Sequence, residues 1–364
     1  MKVAIVYNEP LTGVPDSEDV LGQVKLVADA SEAAGYDSKP FPFCNKPSSP
    51  HFYEEICLLF RELEKFSPAV IFNLVESFGS NQKFHPVIAS LFESHGYAYT
   101  GSSFDAILTS TDKILTKTVL TAYGIPTPLW EQYRKGASTR FRGAGHSSHI
   151  PGIKKKAAHM ILQDNEFQTS ISPPWIIKPA WEDASVGIDD SSVFDNADLL
   201  IPKLSKMYSK YNGQPILIEE YIDGREFNVS VLEHSDNSVE VLPVAEQVFA
   251  NWPEGKPRII NYNAKWDSTS FEYNNTVRQF NPENVPLDSI RDLALKCWSI
   301  FNIKGYARVD MRMDKRGRIL VVEINANPCI APDSGFIMAA KEAGYSSKDV
   351  VEEIIVTAVK NHKG

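Results

Sequence analysis

One stretch, residues 305–328 (GYARVDMRMDKRGRILVVEINANP), constrains this chain more than any other. Two short strand-like runs flank Asp314-Lys315-Arg316-Gly317, turn material in which Gly317 supplies a positive φ. Side chains alternate along a strand, so Tyr306, Arg308, Asp310 and Arg312 share one face of the first run. In the second run, Val321, Glu323, Asn325 and Asn327 share a face. With Arg316 and Gly317 at the loop centre, Asp310 stands opposite Glu323, and Arg308 opposite Asn325. Directly opposed carboxylates destabilise a sheet, so this pattern asks for a cation. Two carboxylates and an amide oxygen suit a hard divalent ion such as Mg2+, which shares carboxylates with substrate phosphates. An exposed hairpin with solvated charges is the plainer reading. The apolar run 319–322 before Glu323, and Asn327-Pro328 after it, weigh against that.

The chain of 364 residues is long enough for two or three domains and a sizeable core. Its 37 basic and 46 acidic residues give a net charge of −9, which provides no global basic field for nucleic acid. No run approaches the roughly 20 apolar residues that span a membrane, and the N-terminus carries no h-region. Cys44, Cys57, Cys297 and Cys329 are scattered without a C-x-x-C, as expected of reduced thiols in the cytoplasm.

Residues 1–108 alternate strands and helices. Strands are expected at 3–7, 68–75 and 97–99, and helices at 18–34, 52–66 and 86–94. The first helix would turn Val20, Leu21, Val24, Val27 and Ala28 inward, and the second Ile56, Leu59, Phe60 and Leu63. That alternation implies a parallel α/β sheet, with Asn8, Glu9 and the loop 76–81 at strand ends where ligands sit. There is no G-x-G-x-x-G to argue for NAD. One helix follows, started by Thr111 or Asp112 and ended at Gly124, with Ile114, Leu115, Val119 and Leu120 inward. Lys113 and Lys117 lie four apart on one of its faces, where a lysine is ordinarily solvated. Arg134, Lys135, Arg140, Arg142 and the lysines 154–156 make a basic patch, read as a surface insertion or a site for an anion. His146 and His149 are too isolated to argue for a metal.

Two further stretches carry chemistry. In PWIIKPAWEDASVGI (174–188), a strand delivers Lys178 and a small-residue loop ends in Ser185-Val186-Gly187. Backbone N–H groups of such a loop can cradle phosphates beside a lysine's point charge. A hairpin with a glycine turn is the alternative. In PILIEEYIDGREF (215–227), Glu219 and Glu220 end an apolar strand, Asp223-Gly224 turns the chain, and Glu226 begins the next strand. Glu219 beside an apolar wall is placed to accept an adenine amine, and Glu226 to accept ribose hydroxyls; exposed acids of a hairpin are the alternative for each. Further strands and helices are expected at 239–244, 287–301 and 347–360, with Ile290, Leu293, Ala294, Cys297 and Trp298 buried.

Together, R-x-D with E-x-N-x-N-P, I-x-K-P-A…S-V-G-I and E-E-Y-I-x-G-x-E-F resemble the ATP-grasp ligases, closest to the D-alanine–D-alanine ligase-like branch, from about Thr100 to Ser334. The resemblance implies an α/β protein, α+β in its ATP-grasp part: a parallel-sheet N-terminal substrate domain (1–108), then central (109–217) and C-terminal catalytic (218–364) ATP-grasp subdomains. It implies ATP and two Mg2+ ions, with Mn2+ as an alternative. Asp310, Glu323 and Asn325 match the metal ligands. Lys113 and Lys178 match phosphate-binding lysines, with Ser185, Val186 and Gly187 closing over the triphosphate. Glu219, Glu220, the Tyr221–Ile222 backbone and Glu226 match the nucleotide hinge. In Y-x-A-K-aromatic, Lys265 matches the lysine at the γ-phosphate. Arg308 matches the arginine on the transferring phosphoryl group, and Ser334 the serine that meets the second substrate's carboxylate.

The activity implied is a cytoplasmic ligation of two amino acids through an acyl phosphate, as in peptidoglycan precursor synthesis, by an enzyme that is a homodimer by analogy. Ligation of other amino acids or peptides, and phosphotransfer to a small acid or polyol, are the alternatives. Three departures bear on the substrate. The family's G-G-x-S-x-E after the first strand is here Tyr7-Asn8-Glu9-Pro10, which leaves Glu9 as a replacement acid. Its H-G-x-x-G-E-D loop is replaced by residues 76–81, and its oxyanion-hole glycine by Cys329.

Overall fold

The computed structural model describes residues 1–43, 52–78, 82–135 and 169–363. Cys44, the stretch 79–81, Arg140, Arg142, His146, His149 and the lysines 154–156 lie outside the described residues.

The N-terminal part is a parallel sheet of β1 (Lys2–Asn8), β2 (Asp37–Phe43) and β3 (Val70–Leu74) in the order β2-β1-β3, flanked by α1 (Pro15–Ala33), α2 (Phe52–Phe66) and α3 (Pro86–Ser94). Residues 97–99, expected as a strand, contribute a single parallel bridge from Tyr99 to Ile71. Ala4, Val6, Ile71 and Val75 pack against Leu59, Phe60 and Leu63 of α2, as its spacing predicts. α1 packs Val20, Val24, Val27 and Ala28 of its predicted face against the core, with Leu21 the exception. Val20, Gln23, Val27, Ala30 and Ser31 are buried, whereas Leu21 is exposed. Gln23 belongs to the buried face as well, and its Oε1 accepts the Ile330 N–H at 3.1 Å.

The helix expected from Asp112 to Gly124 is α5 (Lys113–Ala122), and a further helix that the sequence reading did not include, α4 (Phe104–Thr111), precedes it. Asp112 breaks them with extended backbone and caps α5, accepting the N–H groups of Ile114 at 2.8 Å and Leu115 at 3.1 Å. The second sheet is antiparallel and contains β4 (Trp130–Tyr133), β5 (Trp175–Pro179), β6 (Val193–Phe194) and, after α6 (Leu200–Lys210), β7 (Ile216–Glu220), in the order β4-β7-β5-β6.

The third sheet, also antiparallel, holds β8 (Arg225–Glu233), β9 (Val239–Val241) and β10 (Ala245–Phe249). Short helices α7 (Tyr262–Trp266) and α8 (Phe271–Asn275) lead to β11 (Thr276–Phe280), and α9 (Leu287–Ile300) precedes β12 (Tyr306–Met313) and β13 (Ile319–Asn325). The strand order is β11-β10-β8-β12-β13, with β9 on β8. α9 buries Ile290, Leu293, Ala294, Cys297 and Trp298 against this sheet, the five residues its periodicity selects. Removing Ile290 and Leu293 from water contributes roughly 2 kcal/mol each. Gly224, which turns β7 into β8, passes so close to the end of β12 that a Cβ there would lie 1.9 Å from the Met313 carbonyl oxygen. Finally α10 (Gly335–Glu342) and α11 (Ser347–Lys363) return to the first sheet, where Val350, Val351, Ile354 and Ile355 share a core with Val3, Ile5 and Phe72.

Candidate active site

The β12–β13 hairpin pairs Arg308 with Asn325 and Asp310 with Glu323, the register read from the sequence at the carboxylates. The reading of the turn was one residue off. Near the loop, Met311 pairs with Val321, Arg312 with Leu320 and Met313 with Ile319. A bulge that leaves Val322 unpaired absorbs the difference before the carboxylates are reached. The opposed acids are not left bare. Arg308 grips Asp310 through Nε at 2.8 Å and Nη2 at 2.9 Å, and Asn228 Nδ2 donates to Asp310 at 2.7 Å. Lys113 reaches Glu323 Oε1 at 2.8 Å and Asp183 Oδ1 at 3.3 Å, and donates to the Glu182 carbonyl at 2.7 Å. Burial works against the Lys113 charge, but Glu323 and Asp183 hold its ammonium above the ordinary value. Burial would likewise lift the Glu323 carboxyl, and Lys113 brings it well below the usual range.

A second cluster lies deeper. Glu219, only 1 % exposed, receives Lys117 on one oxygen at 2.7 Å and Lys178 on the other at 2.6 Å. Each oxygen faces an ammonium group, Oε2 with a hydrogen bond from Lys178, while Oε1 has ion-pair contact with Lys117 but no hydrogen bond among the described residues. Burial pushes its carboxyl up, but the two ammonium groups pull it below the ordinary value. Lys113 and Lys117 form the buried face of α5, not a solvated one. Lys117 also donates to Thr127 Oγ1 at 2.8 Å, tying the helix to the strand-leading loop. Glu226 accepts from Arg312 Nε at 3.0 Å and Nη2 at 2.8 Å, while Arg312 Nη1 donates to the Ile222 carbonyl at 2.6 Å. Glu220, Tyr221 and Ile222 run along the wall of the same cavity.

The loop 182–188 is pinned from several sides. Ser185 Oγ donates to the Ile260 carbonyl at 2.7 Å, Trp266 Nε1 to the Ala184 carbonyl at 3.1 Å, and Val186 N–H to the Asp183 carbonyl at 2.9 Å. Gly187 has φ +81°, and a Cβ there would sit 2.6 Å from Tyr211 Oη and 2.9 Å from Pro179 Cγ. Lys265, on α7, faces the cavity; burial and then Arg308 lower its ammonium, and among the described residues it forms no ion pair. Ser334 caps α10, its Oγ accepting the Ile337 N–H at 3.3 Å.

These side chains share one cavity of about 630 Å3, lined by Lys178, Ser185, Glu219, Glu226, Lys265, Arg308, Asp310, Glu323, Asn325 and Ser334 among others. Lys113, Val186 and Gly187 are not among the residues that line it, though their neighbours Asp183, Ala184, Ser185 and Ile188 are. Glu9 is exposed and does not line it; the acids that reach it from the N-terminal part are Asp16, Asp19 and Glu76. Among the described residues no three His, Cys, Asp or Glu side chains are grouped to hold a metal alone. The set of Asp310, Glu323 and Asn325 offers only hard oxygen donors, which fits Mg2+ completing its shell with phosphate and water. The sequence reading puts Arg312 on the Asp310 face but gives no site role to it or to Asn228, which alternation puts on the face of Glu226. Lys117 was missed because a lysine four residues from another reads as surface.

The family described as D-ala D-ala ligase C-terminus matches residues 152–356. The D-alanine–D-alanine ligase of Carboxydothermus hydrogenoformans is 30% identical over 279 residues, covering 76% of this chain and 78% of that one. That of Glaesserella parasuis is 25% identical over 361 residues, 97% of each chain. An uncharacterized protein of Sinorhizobium fredii, y4sG, is 29% identical over 314 residues, 84% of this chain and 82% of that one. Among solved structures, D-alanine–D-alanine ligase from Bacillus anthracis complexed with ATP aligns with a TM-score of 0.69 at 18% identity, covering 100% of this chain and 99% of that one.

Proposed function

The chain belongs to the D-alanine–D-alanine ligase family, and from that premise we propose that it is an ATP-dependent ligase that joins two amino acids through an acyl phosphate. A carboxylate is a poor acyl donor. Its oxygen attacks the γ-phosphorus of ATP and ADP leaves; the second substrate's amine then attacks the acyl carbon and phosphate departs with that oxygen. The names of the relatives point to D-alanine, and the altered substrate stretches, with Cys329 in place of a glycine, make another amino acid the alternative. The observation that carries the reading is the convergence of Lys178, Lys265, Arg308 and the opposed pair Asp310–Glu323 on one cavity of an otherwise acidic chain.

In this reading the subdomains 109–217 and 218–364 close over ATP, and the unit 1–108 completes the amino-acid side. Lys113, Lys178 and the turn Ser185-Val186-Gly187 hold the triphosphate, and Lys265 meets its γ-phosphate. Glu219 orients Lys117 and Lys178 from below. Glu220, the Tyr221–Ile222 backbone and Glu226 receive the nucleoside. Asp310, Glu323 and Asn325 would hold Mg2+, which supplies charge neutralisation at the phosphates. Arg308 stands where charge develops on the transferring group. Ser334 and the N–H groups that open α10 suit the carboxylate of the second substrate. Phosphate release from ATP and Mg2+ across single and paired D- and L-amino acids, with mass spectrometry of products, tests this. A dipeptide formed together with phosphate is expected; a stable phosphorylated product that needs no amine would replace ligation with phosphotransfer.

A further inference from the structure

The cavity carries more acid than the phosphate chemistry uses. Beyond Asp310 and Glu323, its wall includes Asp16 and Asp19 of α1 and Glu76 just after β3. Their partners are neutral. Tyr262 Oη donates to Asp16 at 2.8 Å, and Cys329 Sγ and Gln23 Nε2 meet Asp19 Oδ2 at 3.0 Å and 3.3 Å. The same Gln23 nitrogen lies 3.5 Å from Glu76, so Asp19 and Glu76 border one small space. No cation among the described residues forms an ion pair with any of the three. Enclosure first, then Asp19, with smaller parts from Asp183 and Asp16, push the Glu76 carboxyl up to about 7, so that near neutral pH it holds a proton about half the time and a cation bound beside it would release that proton.

His85 supplies an independent observation in the same cavity. It is 6% exposed, lines the cavity, and bonds to the Val75 backbone. Its Nε2 is buried and has no partner among the described residues. Burial holds the ring neutral, its value lowered to about 4, so with the other nitrogen donating to Val75 the free Nε2 is a lone pair seeking a donor. The cavity thus holds Asp16, Asp19 and Glu76 without a cationic partner among the described residues, and His85 lines it with an unpartnered Nε2. The complement is a cationic, donor-rich group, and one ammonium, with a single charge and three N–H bonds, does not satisfy them all. Cys329 does not relieve the excess: burial, then Asp19 and Glu76, keep its thiol protonated, and it serves as a donor to Asp19.

We propose that the acyl-donor substrate is a diamino acid, its carboxylate toward Arg308 and Lys265 and its α- and side-chain ammonium groups among Asp16, Asp19, Glu76 and His85 Nε2. This deepens the ligase reading and rests on it. Two ammonium groups bring two positive charges to Asp16, Asp19 and the partly protonated Glu76, and offer enough donors for the imidazole as well.

The test separates the two claims. Binding of 2,3-diaminopropionate and ornithine to the full chain is measured by calorimetry with Mg2+ and a non-hydrolysable ATP analogue, beside alanine and norvaline as neutral counterparts, each in both stereochemical forms. A Kd at least about tenfold lower for a diamino acid than for its neutral counterpart is expected. Equal or weaker binding overturns the proposal, whether or not any amino acid turns over. Phosphate release with the same compounds judges ligation separately. In Glu76→Gln and Asp19→Asn, checked for folding by thermal melting, the preference for the diamino acid is expected to shrink toward parity. A preference that survives both substitutions also overturns the proposal.

Discussion

Asp310 and Glu323 face each other across β12 and β13, and each is matched by its own cation, Arg308 on Asp310 at 2.8 Å and Lys113 on Glu323 at 2.8 Å. The repulsion that the strand register sets up is thereby quenched. Of these two cations Arg308 lines the cavity, and Lys113 joins it through Glu323 and Asp183.

Removing one of the facing charges separates chemistry from folding. Glu323→Gln keeps the side chain's shape, and Lys113 retains the Glu182 carbonyl and Asp183. Thermal melting is expected to change little, while Mg2+-dependent phosphate release falls by at least about a hundredfold. Unchanged turnover would remove Glu323 from the metal site.

The buried triad behaves differently. Glu219→Gln leaves Lys117 and Lys178 facing each other without a counter-charge, an expected loss of about 3 kcal/mol in urea unfolding. Because the folded carboxyl lies below its ordinary value of 4.5, its contribution is present above pH 4.5 and is lost as pH falls through the folded value. The variant should therefore lose less stability on acidification than the parent; equal acid sensitivity would contradict the triad's role.

Much of this was legible in the chain, and the gaps have physical causes. Alternation along 306–312 and 321–327 put the acids face to face, but the bulge at Val322 is backbone geometry that no side-chain pattern announces. β2 escaped because its sequence, DSKPFPF, carries two prolines; as an edge strand it tolerates them. α1 was read from its aliphatic residues, whereas its buried face also includes Gln23, which accepts the Ile330 N–H. The meeting of Asp16, Asp19, Glu76 and His85 depends on contacts far apart in sequence, which local spacing does not encode.

The phosphate-side loop depends on a missing side chain. Gly187→Ala places a methyl group against Tyr211 and Pro179 at a φ of +81°. Strain of roughly 1–3 kcal/mol is expected, with a higher KM for ATP than for the amino acids. An unaltered KM for ATP would separate this turn from nucleotide binding.

Arg312 joins the hinge to the third sheet through Glu226 and the carbonyls of Ile222 and Arg258. Lysine cannot reproduce that fork. Arg312→Lys is expected to raise KM for ATP by about tenfold, with a smaller change in kcat. A fall in kcat alone would place Arg312 with the reacting groups.

The central claim is that the acyl donor's own oxygen ends on phosphate. Turnover of a donor amino acid labelled with oxygen-18 in its carboxylate, followed by mass spectrometry of the released phosphate, reads this directly. The account predicts one labelled oxygen in each phosphate formed with a peptide bond. Unlabelled phosphate beside an authentic dipeptide would contradict the acyl phosphate route.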